Sequence, residues 1–160
     1  MLEDQLRRDL MGAFQNRALL YRDIYREMAA EFGAEAAEHV LSRAIYARGK
    51  ATAELAFPGF GAQDACGLGE AFLAASPDGG RMFPTDVTRK PGSISFKVKE
   101  CPLKTAWMAA GTQADEMATL CRIAGRFDNG LFEHSGTVVE TETWRDNVEG
   151  CCRITLRNRG

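Results

Sequence analysis

Ser93-Ile94-Ser95-Phe96-Lys97-Val98-Lys99-Glu100-Cys101-Pro102-Leu103-Lys104 is the stretch that decides the fold. Ile94, Phe96 and Val98 alternate with Ser93, Ser95, Lys97 and Lys99, the period-two pattern of a half-buried strand. Beyond it Leu103, Ala106, Trp107 and Ala110 recur at helical spacing until Gly111. Proline suits the first helical position, where its missing N–H would be unpaired anyway, so Pro102 places Cys101 at the N-cap. A thiol there faces free backbone N–H groups and the positive end of the helix dipole, with Lys99 and Lys104 near in sequence, so a lowered thiol pKa is expected. The alternative is a small buried cysteine at a tight corner.

Working outward toward the N-terminus, Leu6, Leu10, Ala13, Phe14, Ala18, Tyr21, Ile24, Tyr25 and Met28 draw an apolar stripe that predicts a helix over 4–31, ended by Gly33. A second helix is predicted over 34–57, with Ala37, Val40, Leu41, Ala44, Ile45, Ala51 and Leu55 on one side. The short connection makes the two an antiparallel hairpin. Pro58-Gly59-Phe60-Gly61 breaks the pattern, a third helix is expected over 62–75, and Ser76-Pro77-Asp78-Gly79-Gly80 is a turn. A short strand over 82–88 then leads through Arg89-Lys90-Pro91-Gly92 into the strand before Cys101.

Toward the C-terminus, Thr112-Gln113-Ala114-Asp115 reads as a capping box that starts a helix with Met117, Leu120, Cys121 and Ala124 inward and Gly125 as its close. Arg126-Phe127-Asp128-Asn129-Gly130 is expected to be a polar turn, 132–144 a strand region and 151–157 a last strand. Strict alternation there would point Cys152, Ile154 and Leu156 to the core and Cys151 the other way. The class is therefore α+β: an N-terminal helical hairpin plus further helices packed on a small, mainly antiparallel sheet. One domain over 1–160 is expected, helical over about 1–76 and mixed over about 81–158.

Composition bounds the partners. A net charge of −2 with no basic block gives no electrostatic reason to expect nucleic acid, and no apolar run approaches the ~20 residues of a membrane span. The first residues lack the apolar core of a signal peptide. Five cysteines, an odd number, then suggest reduced thiols in a cytoplasmic protein. No Cys-x2-Cys pair exists, so neither a metal nor another cofactor is expected. The composition leaves a homo-oligomer open.

The order of these signals resembles the L-2-amino-thiazoline-4-carboxylic acid hydrolase family. The likeness rests on the strand into Cys101-Pro102-Leu103, then Thr119-Leu120-Cys121, Phe127-Asp128 and Gly150-Cys151-Cys152-Arg153-Ile154. Phe32-Gly33-Ala34-Glu35-Ala36-Ala37 and Ala44-Ile45-Tyr46-Ala47-Arg48-Gly49 extend it over nearly the whole chain. The resemblance implies a small-molecule substrate and hydrolytic opening of a cyclic amidine such as an aminothiazoline carboxylate at a carbon–nitrogen bond. Its pattern matches Cys101, Cys121, Asp128 and Cys152.

Chemistry rather than likeness assigns the roles. Cys101 is the candidate nucleophile, and Asp128, Glu133 and His134 are the candidate bases or proton relays, His134 by its ordinary pKa. Cys121 and Cys152 would line the substrate, and Arg153 or Arg122 would hold its carboxylate. Three alternatives stand beside this one: Asp128 activating water with the cysteines structural, a binding module without turnover, and a metal site built from Cys101, Cys121 and Cys152.

Overall fold

The computed structural model describes residues 1–160. Five helices and four strands follow in the order α1 (Leu2–Phe32), α2 (Ala34–Ala56), α3 (Ala65–Ala74), β1 (Thr85–Lys90), β2 (Ser93–Val98), α4 (Pro102–Ala109), α5 (Ala114–Glu133), β3 (Val138–Glu142) and β4 (Arg153–Arg157). The strands form one antiparallel sheet in the order β1-β2-β4-β3, covered on one face by helices, so the molecule is α+β as its patterning requires.

Period-two patterning explains the covered face. Ile94 and Phe96 of β2 stand opposite Leu156 and Ile154 of β4, and all four are buried. They meet Ala65 and Leu68 of α3 and Leu131 and Phe132 of α5. Helix α3 lies so close to β2 that a Cβ on Gly69 would stand 2.5 Å from Ile94. The opposite face carries Ser95, Lys97, Arg153, Thr155, Glu140 and Glu142 and has no helix over it.

A second core lies beyond the far end of β2 and β4. Trp107 of α4 is buried against α1 and donates its indole N–H to the Ala18 carbonyl at 2.6 Å. Around the pair gather Leu103, Ala106, Met117, Leu120, Cys121, Ile123, Trp144 and Cys151.

The largest departure from the sequence reading is α5. Gly125 does not close it, and residues 126–130 are helix rather than a polar turn. The apolar spacing continues through Leu131 and Phe132, and the glycines are where other elements press closest. A Cβ on Gly130 would lie 2.1 Å from the Tyr46 carbonyl oxygen of α2, and one on Gly49 would lie 2.0 Å from the Phe127 carbonyl oxygen. Strand β3 is correspondingly shorter than the expected 132–144 region. The capping box is also absent. Gln113 is the N-cap without a side-chain bond to the helix, Asp115 accepts from the Glu116 N–H, and the buried Thr112 hydroxyl has no partner.

In α1 the single predicted stripe resolves into two. Phe14, Ala18, Tyr21 and Tyr25 face the core, whereas Leu6, Ala13 and Ile24 are exposed. In α2 the buried positions are Ala37, Gly49 and Ala53, while Val40 and Leu55 face outward.

Candidate active site

Four of the five cysteines come together where β2 ends, α4 begins and α5 passes behind. Cys101 is the N-cap of α4, as Pro102 dictates. Cys121 enters from α5. Asp128 follows it seven residues later, two turns along the same helix and on the same face. Cys151 and Cys152 arrive just ahead of β4.

The two adjacent thiols do not point oppositely. Val98 donates its N–H to the Cys152 carbonyl while its own carbonyl accepts from the Cys151 N–H, both at 2.9 Å. Two residues thus face one, which is a β-bulge, and a bulge breaks the alternation and re-aims its side chains. The two sulfurs stand 3.7 Å apart. Cys151 is buried and Cys152 half-buried, the reverse of the expected assignment.

Two lysines fix the bulge. Lys97 donates to the Cys151 carbonyl at 2.8 Å and Lys104 to the Gly150 carbonyl at 2.6 Å. The Lys104 ammonium also stands 4.9 Å from the centre of the Trp144 ring. Trp144 in turn donates its indole N–H to the Val148 carbonyl, closing the loop that precedes the bulge. Gly150 takes φ +74°, a left-handed value suited to glycine, and a Cβ there would crowd the Val98 carbonyl.

Electrostatically the cluster has a hub. Cys101, Cys121 and Cys152 lie around Cys151, and their proximity holds Cys151 well below the ordinary thiol range. The same contacts, followed by burial, push Cys101, Cys121 and Cys152 upward. The expected lowering at Cys101 is therefore reversed. The N–H groups of Leu103 and Lys104 favour its thiolate without closing a cap hydrogen bond, and the contact with Cys151, followed by burial, outweighs them. Burial pushes the Asp128 carboxyl up to about 7; Arg17 opposes that shift and Cys151 adds to it.

The remaining expected residues lie elsewhere. His134 ends α5, 3.9 Å from Glu54, on a cavity of about 280 Å3 that also touches Phe57 and Phe60. Glu133 accepts a hydrogen bond from the Tyr46 hydroxyl at 2.7 Å. Arg122 grips Glu38 through two contacts of 2.7 and 3.0 Å, and Arg153 is exposed on the open face of the sheet. Cys66 is half-buried beside the Lys90 carbonyl, away from the other four. No three His, Cys, Asp or Glu side chains are arranged as a metal-ligand set.

Sequence reasoning missed Lys97, Trp144 and Arg17 as neighbours of the site and turned Cys151 away from it, whereas Lys104 was expected near Cys101. Arg17 lies over Phe14 and Tyr21, at 4.8 and 5.9 Å from the ring centres, and makes no ion pair. For Lys104 the signal was its place three residues beyond Cys101. For Cys151 none existed, because a bulge leaves no periodic trace.

The arrangement can hold one negative charge shared over four sulfurs and pass protons among them, beside a carboxyl poised near neutrality. Comparison with known protein families then gives one match: the model of the L-2-amino-thiazoline-4-carboxylic acid hydrolases covers residues 13–155. The chain belongs to that family. The match encloses all four clustered cysteines and Asp128, and the family's name is that of a hydrolase. No curated protein matches the chain. No helix is long and apolar enough to cross a membrane.

Proposed function

We propose that the protein is a hydrolase that opens a small cyclic amidine of the aminothiazoline carboxylate type, with the thiol cluster as its reacting centre and no metal or other cofactor. The observation that carries this reading is the meeting of Cys101, Cys121, Cys151, Cys152 and Asp128 at one place in a chain of this family.

Cys101 is the nucleophile in this scheme, since it is half-buried whereas Cys151 is almost fully enclosed. Its sulfur adds to the sp2 amidine carbon as its proton passes to the ionised Asp128. The ring bond to that carbon then breaks, and the departing ring atom takes that proton back from Asp128. Asp128 removes a proton from water as the water attacks the same carbon and expels the Cys101 thiolate. Asp128 finally returns that proton to Cys101, so the cycle consumes one water and leaves the enzyme unchanged. Cys121 and Cys152 hold the charge on Cys151 throughout. The scheme implies a small-molecule substrate in a cytoplasmic setting, without nucleic acid or membrane.

The test is incubation of the pure protein with 2-aminothiazoline-4-carboxylate and with related cyclic amidines, ureas and imides, read by mass spectrometry. A product heavier by one water, absent with Cys101→Ala, is expected. Tight binding of these compounds without any product would replace the reading with a binding module. A specific observation favours a non-catalytic alternative: two surface cavities, of about 740 and 280 Å3, open on α2 and on the α2–α5 end rather than on the thiols. In that alternative the cysteines complete a core.

A further inference from the structure

Helix α1 carries an apolar stripe that nothing in the chain covers. Its inward stripe is Phe14, Ala18, Tyr21 and Tyr25; moved one residue toward the N-terminus, the same spacing gives Ala13, Arg17, Leu20 and Ile24, about 100° around the helix. Leu10 and Leu6 continue it. The intervals from Leu6 to Ile24 are four, three, four, three and four, the heptad seam of a coiled coil sustained over about 27 Å. Leu6, Leu20 and Ile24 are 58%, 50% and 46% exposed, Ala13 and Arg17 are exposed, and Leu10 is half-buried. Glu3 and Glu27 occupy the next positions of the repeat and bound the seam.

We infer that this seam is an interaction surface for a second copy of the same chain, joined through α1 in antiparallel orientation about a twofold axis. Self-complementarity argues for it. Antiparallel pairing about residue 15 sets Leu6 opposite Ile24, Leu10 opposite Leu20 and Ala13 opposite Arg17 of the second copy, and the three pairs repeat across the axis. Every layer then joins an apolar residue to an apolar one, except where the smallest residue of the seam meets the only long charged one.

Arg17 specifies the direction. A parallel pair would place two guanidinium groups at one level of a closed seam, a repulsion that a polar seam position ordinarily uses to reject an arrangement. In the antiparallel pair the alanine leaves room for the arginine stem, whose head already turns aside over Phe14 and Tyr21. Six acids and five arginines share α1, so the helix presents no net positive charge to an anionic membrane.

The test is the mass of the full chain in solution, by sedimentation or by light scattering after gel filtration, over a range of micromolar concentrations. A particle of twice 17.6 kDa is expected. Leu6→Glu and Leu20→Glu should each weaken self-association at least tenfold, while Leu55→Glu, at an 85% exposed leucine outside the seam, should not change it. Oxidation of a mixture of Leu6→Cys and Ile24→Cys proteins should cross-link one to the other, and Leu6→Cys alone should not link to itself. A parent that stays monomeric overturns the inference, whether or not it binds lipid vesicles. So does a dimer indifferent to both glutamates.

Discussion

Cys151 and Cys152 are chain neighbours whose sulfurs lie 3.7 Å apart on the same side of the backbone. The bulge opposite Val98 makes this arrangement, and it puts Cys151 at the centre of three other thiols. A thiolate so surrounded gathers the negative charge of the cluster and makes a second ionisation costly. Replacing Cys151 by alanine removes both the charge and the thiol contacts that push its neighbours upward. Alkylation of Cys101 by iodoacetamide at neutral pH should therefore be faster in Cys151→Ala than in the parent, by up to about tenfold for each pKa unit regained. Peptide mapping after timed alkylation measures it. Unchanged labelling of Cys101 would show that Cys151 does not govern its ionisation.

Asp128 gives two pH effects of opposite practical sense. As a base it must be ionised, so turnover should rise with pH through about 7, and Asp128→Asn should remove that limb along with most of the activity. Stability runs the other way. The unfolded chain loses this proton near its ordinary value of about 4, whereas the folded chain holds it until about 7. Between those values the unfolded state binds fewer protons, so the contribution of Asp128 lowers stability with rising pH by at most about 1.4 kcal/mol per unit and is constant above about 7. Denaturant melts of the parent and Asp128→Asn across this window should show the parent losing ground as pH rises. A difference independent of pH would mean that Asp128 titrates normally.

Most of the fold was legible because most of it obeys one period at a time. The strand before Cys101, the Pro102 helix start and the α1–α2 hairpin are each set by local spacing and punctuation. The pattern failed where tertiary contact chose the residue. Gly125 and Gly130 look like helix stops in isolation, yet in α5 they are the positions at which Thr143 and the Tyr46 carbonyl come close. In α1 two stripes one residue apart read as a single broad one. The candidate site was half legible for the same reason. Cys101 and Cys121 sit on regular elements, but the bulge that delivers Cys151 is a long-range pairing, and the places of His134 and Glu133 depended on a turn that did not form as expected.

Lys104 links the helix start to the bulge. Lys104→Met keeps the aliphatic stem but deletes the hydrogen bond to the Gly150 carbonyl and the charge beside Trp144. A charged hydrogen bond of this kind contributes about 1.5–3 kcal/mol and an exposed cation–π contact about 0.5–1 kcal/mol. The expected loss is about 2–4 kcal/mol in a chemical denaturation curve. Turnover should fall more than stability alone explains, because the bulge that positions Cys151 loosens. Parent-like turnover in a folded Lys104→Met protein would separate the bulge from the chemistry.

Glycine-to-alanine exchange distinguishes the two kinds of helical glycine in this chain. Inside a helix alanine is ordinarily better by roughly 0.5–1 kcal/mol, because glycine loses more backbone freedom on folding. Gly12 of α1 has open space around a built Cβ, so Gly12→Ala should stabilise by about that amount. At Gly130 the new methyl would lie 2.1 Å from the Tyr46 carbonyl oxygen, and the obstacle is backbone rather than a movable side chain. The helices must separate there, and an overpacked contact of this type costs about 1–3 kcal/mol or more. Thermal melts should therefore shift upward for Gly12→Ala and downward for Gly130→Ala. Separation of α2 from α5 would also tilt the helix that carries Cys121 and Asp128, so Gly130→Ala should lose activity at temperatures at which it remains folded. A Gly130→Ala protein as stable and as active as the parent would mean that α2 and α5 do not approach this closely.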